Sequence, residues 1–202
     1  MPRKDLRPRH RLDAATRNQA ILQAATDCFM ARPYPEVSVA EIARQADASE
    51  ALVYRYFGTK ADLYTAVVRQ SIEDLASAQR AVLAALHPRT PAKAKLRATL
   101  RVYLDHISAH PQAWAVTLDW GQEPAGVVAV RTAARAAFVD SLAAMLAPNP
   151  SLRHHYALWG YLGYLDGACL AWVHSGCPDA DRNPLVESAL GALEGALGDW
   201  AA

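Results

Sequence analysis

Between Ser38 and Lys60 the chain reads Ser-Val-Ala-Glu-Ile-Ala-Arg-Gln-Ala-Asp-Ala-Ser-Glu-Ala-Leu-Val-Tyr-Arg-Tyr-Phe-Gly-Thr-Lys. Hydroxyl, aromatic and cationic side chains recur at short intervals. That set suits phosphate and base-edge contacts better than bond-making chemistry. Tyr54, Tyr56 and Lys60 can meet phosphate through hydroxyl and ammonium groups. Ser38 and Ser49 stand at expected helix starts, where free amides and the dipole attract anions. Arg55 can reach a guanine or a phosphate.

These residues need elements to hold them. Ser38 is expected to cap one short helix, with Glu41 closing a capping box. Asp47-Ala48 makes a turn, Ser49 caps a second helix ending at Gly58, and Thr59 with Asp62 caps a third. The helix from Ser49 has only about eight residues, too few to stand alone. Val53 and Phe57, four apart, anchor it, leaving Glu50, Ala51, Leu52, Tyr54, Arg55 and Tyr56 facing elsewhere. A helix held so in a helix-turn-helix lies in a DNA major groove and reads it with its N-terminal residues. Any one of these tyrosines reads equally well as a half-buried aromatic, and Lys60 as a solvated first-turn lysine. The ordered set argues for DNA.

Charge agrees. The chain has 202 residues and a net charge of +1, so it is no generic polyanion binder. Residues 1–60 hold 10 Lys/Arg against 7 Asp/Glu, and residues 61–202 hold 11 against 13. Arg3, Lys4, Arg7, Arg9 and Arg11 form a basic arm over residues 1–13, expected to be disordered and to lie in a minor groove or along the backbone.

Apolar content of 52%, rich in Ala and Leu and without alternating β-branched runs, predicts an all-α protein of about nine helices. The expected division is the arm at 1–13, a three-helix helix-turn-helix head at 14–60 and a helical second domain at 61–202. Helices are predicted over about 14–31, 60–86, 93–109, a short one from Pro111, 127–146, 152–175 and 185–200. Gly176 to Pro184 reads as a polar loop. Three cysteines do not make a disulfide framework, and no signal peptide or membrane span is evident. A cytoplasmic protein is therefore expected.

On Ser38-Val39-Ala40-Glu41-Ile42-Ala43 and Ser49 through Leu63, the segment from about Asn18 to Leu75 resembles the DNA-binding head of the TetR family of transcriptional repressors. Three residues depart from the usual pattern. Asp47 stands where glycine is common and tolerates left-handed backbone. Glu50 replaces a basic or polar residue and can accept from cytosine N4. Leu52 replaces a small hydroxyl residue and can meet a thymine methyl. The resemblance implies a homodimer on a palindromic double-stranded operator, released by a small, largely apolar effector.

In the second domain the residues expected to line an effector pocket are Tyr103, His106, Trp114, Thr117, Trp120, Phe138, Tyr156, Trp159 and Asp166, an apolar mixture with a few orienting groups. Plain core is the alternative for each. Asp166, the lone carboxylate in its helix, can bind a cation, pair with an arginine or face solvent. The resemblance further implies that the last two long helices form a four-helix dimer interface, through Gly163, Gly167, Val186, Leu190, Gly191, Leu193, Gly195 and Leu197. The alternative is packing within one subunit. His106 and His110 have zinc spacing, but no third ligand is apparent. Cys169, His174 and Cys177 form a looser cluster. No phosphate loop, nucleophile elbow or metalloprotease motif occurs, so neither catalysis nor a cofactor is expected.

Overall fold

A computed structural model describes residues 14–118, 123–146 and 151–198. They contain nine α-helices and no strand: α1 (Ala14–Ala31), α2 (Val39–Gln45), α3 (Glu50–Phe57), α4 (Lys60–Ala85), α5 (Ala92–Ala109), α6 (Pro111–Ala115), α7 (Ala125–Leu146), α8 (Leu152–His174) and α9 (Arg182–Leu197). The basic arm, Trp120 and Trp200 lie outside the described residues.

The boundaries follow local chemistry. The Ser38 hydroxyl accepts the Glu41 amide at 3.2 Å, and that of Ser49 accepts the Leu52 amide at 3.3 Å. Asp47 adopts φ 47°, and the next amide, Ala48, donates to the Ala43 carbonyl at 2.8 Å. The aspartate thus closes α2 in the left-handed conformation usually left to glycine. Gly58 has φ 81° and ends α3. Thr59 and Asp62 complete a reciprocal capping box on α4.

The box expected at Ser38 forms only halfway. The Glu41 carboxylate does not reach back; it pairs with Arg32 at the end of α1, which holds its pKa below the usual carboxylate range. An arginine close in space outcompetes a neutral amide for that charge. A second departure is the start of α9. Asp179–Asp181 form a single 3-10 turn and α9 begins at Arg182, so Pro184 sits in its first turn, where a missing N–H costs nothing.

Two hydrophobic cores result. In the head, Ile21, Ala25, Phe29, Val39, Ile42 and Val53 pack together with Leu63 and Val67 of α4. In the body, α8 pairs with α9, α4 lies between α5 and α7, and the core gathers Leu96, Leu104, Leu158, Leu165, Trp172, Leu190 and Leu193. Ion pairs from α5 to α9, Lys93–Glu194 (2.8 Å) and Arg97–Glu187 (2.9 Å), run along the outside of that packing. Among the described residues no helix is long and apolar enough to cross a membrane.

Candidate DNA-reading face and effector cavity

The third helix is held as its sequence requires. Val53 is 2% exposed, Phe57 half-buried against the same core. Ser38, Ser49, Glu50, Ala51, Tyr54 and Arg55 are exposed, with Tyr54 at 45%. Leu52 and Tyr56 are less free than expected. Both are half-buried and packed on the head core, because an eight-residue helix with one buried valine needs flanking contacts. The Arg55 guanidinium lies 5.6 Å from the Tyr56 ring centre, and the Lys60 ammonium 4.4 Å from that of Tyr34. These rings steer two cations without neutralising them. Partial burial lowers the Lys60 pKa. The capping oxygens of Ser38 and Ser49 accept from the backbone, which leaves each hydroxyl proton to donate.

The body holds a partly open cavity of ≈ 910 Å³, walled by α4, α5, α7 and α8 and bounded toward the head by Phe29, Tyr34 and Tyr64. One face of α4, from Tyr64 to Leu83, runs along it. At 1.5 Å per residue that face is roughly 28 Å long. Of the expected pocket residues, Tyr103, His106, Trp114, Phe138 and Asp166 line it. Asp166 pairs with Arg135 of α7 at 2.8 Å. The Trp114 indole donates to the Tyr103 hydroxyl at 3.1 Å. The side chain of Thr117 is not described.

Two expectations fail here. Tyr156 and Trp159 do not line the cavity; they stand on the outer face of α8, 70% and 37% exposed. Periodicity assigns a residue to a face of a helix, not the face to a pocket. The expected dimer set divides likewise. Val186, Leu190, Leu193 and Leu197 are buried inside the subunit against α8 and α5, so they cannot meet a partner. Gly163, Gly167, Gly191 and Gly195 are exposed, and a Cβ built on any of them meets nothing within 4 Å.

No motif marks a further cluster at the head end of the cavity. Tyr64 donates to Glu123 at 3.1 Å, and Arg131 grips the same carboxylate at 2.9 and 3.0 Å. Tyr64 also packs on Phe29 and Tyr34 at 4.7 and 5.0 Å between ring centres. Burial, with Glu123 adding to it, pushes its phenol up to about 12. Burial likewise pushes the Cys169 thiol up to about 12, which makes it an inert core residue. Among the described residues no group of three or more His, Cys, Asp or Glu could hold a metal ion.

Comparison with known proteins agrees with this geometry. Residues 21–67 match the family described as bacterial regulatory proteins, tetR family. The chain is 26% identical, over 93% of its length and 86% of the relative's, to the HTH-type transcriptional activator FasR of Mycolicibacterium smegmatis. It superposes on a tetR-family transcriptional regulator from Streptomyces coelicolor with a TM-score of 0.74 at 25% identity, covering 92% of this chain and 80% of that one. It also superposes on the transcriptional regulator FadR of Bacillus subtilis, solved in complex with stearoyl-CoA, with a TM-score of 0.70 at 17% identity, covering 86% and 98%. Head, body and relatives agree: residues 21–67 match the tetR family, and the chain as a whole is similar to transcriptional regulators of that type.

Proposed function

We propose that the protein binds a palindromic operator as a homodimer and lets go when an elongated, largely apolar effector enters the cavity. The observation that carries the DNA reading is the exposed face of α3, a helix capped by Ser49 that carries Tyr54 and Arg55 outward. One such helix spans few base pairs, and two of them about 34 Å apart would read successive major grooves. The open glycine faces of α8 and α9 favour a second copy as the partner, since glycine inside a helix otherwise costs about 1 kcal/mol against alanine. The cavity supports the effector reading: it is long and mostly apolar, and the Bacillus subtilis protein of the same fold was solved in complex with stearoyl-CoA.

The sign of regulation follows from where the operator lies. Over a promoter, the bound dimer excludes polymerase and acts as a repressor. A second reading, activation from an upstream operator, is favoured by the Mycolicibacterium relative's description as an activator. In vitro transcription from a template with its operator mapped separates the two.

DNA binding is tested by titrating a labelled operator fragment at several salt concentrations. With about six phosphate contacts, log affinity should fall against log salt with a slope near −5. Lys60→Ala should weaken binding about tenfold and flatten the slope by about one. Its fold should lose no more than about 1 kcal/mol, the worth of a partly exposed ammonium over a ring. Tyr54→Ala should weaken binding without changing thermal unfolding. Wild-type affinity in both variants would remove these residues from the interface.

A further inference from the structure

Apart from the Tyr64–Glu123–Arg131 cluster at the head end, uncharged polar groups line the middle stretch of the cavity. Gln79 of α4 donates to the Thr99 carbonyl of α5 at 3.3 Å, and Ser71 lies 3.4 Å from His106. These contacts run the two helices antiparallel and place Tyr103 between them, near the middle of the cavity's length. Asp166 and Arg135 lie within electrostatic reach of the same hydroxyl. Between this stretch and the head-end cluster the wall is apolar at Val67, Val68 and Val116. On the far side it is apolar at Leu83, Leu142 and Met145.

The central groups offer donors. The Tyr103 oxygen accepts from Trp114, and its own proton has no acceptor among the described residues. Arg135 reaches Asp166 and keeps other N–H groups at the cavity wall. Burial pushes the Tyr103 phenol above its ordinary range, so it remains protonated at physiological pH.

Full charge is already balanced. Among the described lining residues, Arg135 is matched by Asp166, Arg131 by Glu123, Arg80 by Glu73 and Arg32 by Glu41. Burial lowers the His106 pKa, so at neutral pH it adds no charge. An anionic ligand would add an unmatched negative charge beside arginines that internal carboxylates already neutralise, a heavy cost in a low-dielectric wall. A neutral acceptor adds no such charge.

Taking the cavity as the effector site, we infer that Tyr103 and Arg135 form a mid-cavity anchor for a neutral carbonyl carried within an apolar chain, as in an ester or thioester, with an apolar arm on each side. The anchor recognises the position of the acceptor along the chain as well as its presence. A free fatty acid, whose polar group is terminal and charged, fits poorly by both criteria.

The test uses the full-length protein carrying the neutral dye 1,6-diphenylhexatriene, displaced by three probes. Octyl octanoate has an internal ester, palmitate is the ionised form of its constitutional isomer, and hexadecane has no polar group. Octyl octanoate should compete about tenfold better than hexadecane and better than palmitate. Tyr103→Phe, which keeps the ring and deletes the donor, should weaken octyl octanoate about 3- to 10-fold and leave hexadecane unchanged. Arg135→Lys, which keeps the charge facing Asp166, should act the same way.

Equal competition by octyl octanoate and hexadecane on the wild type overturns the anchor, as does an equal loss for both in Tyr103→Phe. Palmitate winning by tenfold overturns the neutral class. Each of these leaves an apolar effector site standing. Displacement by none of the three probes overturns the effector site itself, and the anchor with it.

Discussion

Leucine in place of Gly167 is expected to yield a folded monomer that no longer holds an operator. Nothing in the subunit opposes the new side chain, since a Cβ at this position meets no atom within 4 Å and the residue is exposed. Helix propensity even favours it by somewhat under about 1 kcal/mol. The opposing effect arises only if a second copy packs α8 closely over the glycines, with Tyr156 and Trp159 of the same outer surface joining the contact. Splitting the pair removes the avidity of two linked heads, on the order of 10²- to 10⁴-fold in operator affinity. Sedimentation should show half the mass, thermal unfolding a midpoint no lower than that of isolated wild-type subunits, and a gel-shift titration the lost affinity. A Gly167→Leu protein that stays dimeric and binds normally would move the interface to another surface.

The second large effect is expected at Glu123. Its side chain is only 8% exposed and receives Tyr64 and two bonds from Arg131, itself 25% exposed. Glu123→Leu strands the arginine and should cost about 3–5 kcal/mol in urea unfolding. Adding Arg131→Leu should recover most of that loss, since removing both partners of a buried pair is often close to neutral. The double variant then reports on signalling rather than stability. Tyr64 joins this cluster to Phe29 and Tyr34, and Tyr34 lies under the Lys60 ammonium. A chain of contacts leads from the cavity to the proposed DNA-facing surface. Allosteric couplings are typically 1–3 kcal/mol, so effector-induced release should weaken by about 5- to 150-fold in the double variant while ligand-free operator binding persists. Unaltered release would assign the coupling to another route.

The head was more legible in the sequence than the body, for a physical reason. Its boundaries are local transactions between neighbours in the chain: Ser38 with the Glu41 amide, Ser49 with that of Leu52, Thr59 with Asp62, and Asp47 in a left-handed turn. The cavity is assembled from residues far apart in the chain. Asp166 stands out as an odd carboxylate in an apolar helix, but pairing with an arginine is one of three readings open to it, and nothing in the sequence singles out Arg135. Glu123 and Arg131 carried no motif at all. Helical period showed that α9 has an apolar stripe, yet Leu190 and Leu193 turned out to serve their own subunit. A period of 3.6 marks what must be covered and is silent on which chain covers it. Tyr156 and Trp159 were misplaced for the same reason.

Helix α4 belongs to both halves. Leu63 and Val67 complete the core of the head, while the same helix from Tyr64 to Leu83 forms one long wall of the cavity. The halves are therefore not interchangeable cassettes. A chimera cut after Lys60, at the loop between them, would strip Val53 and Ile42 of their packing partners and graft a foreign rod along the cavity wall. Exchanging specificities between relatives calls for a seam inside the rod, below Val67, where one turn of helix can be spliced to another without exposing either interior.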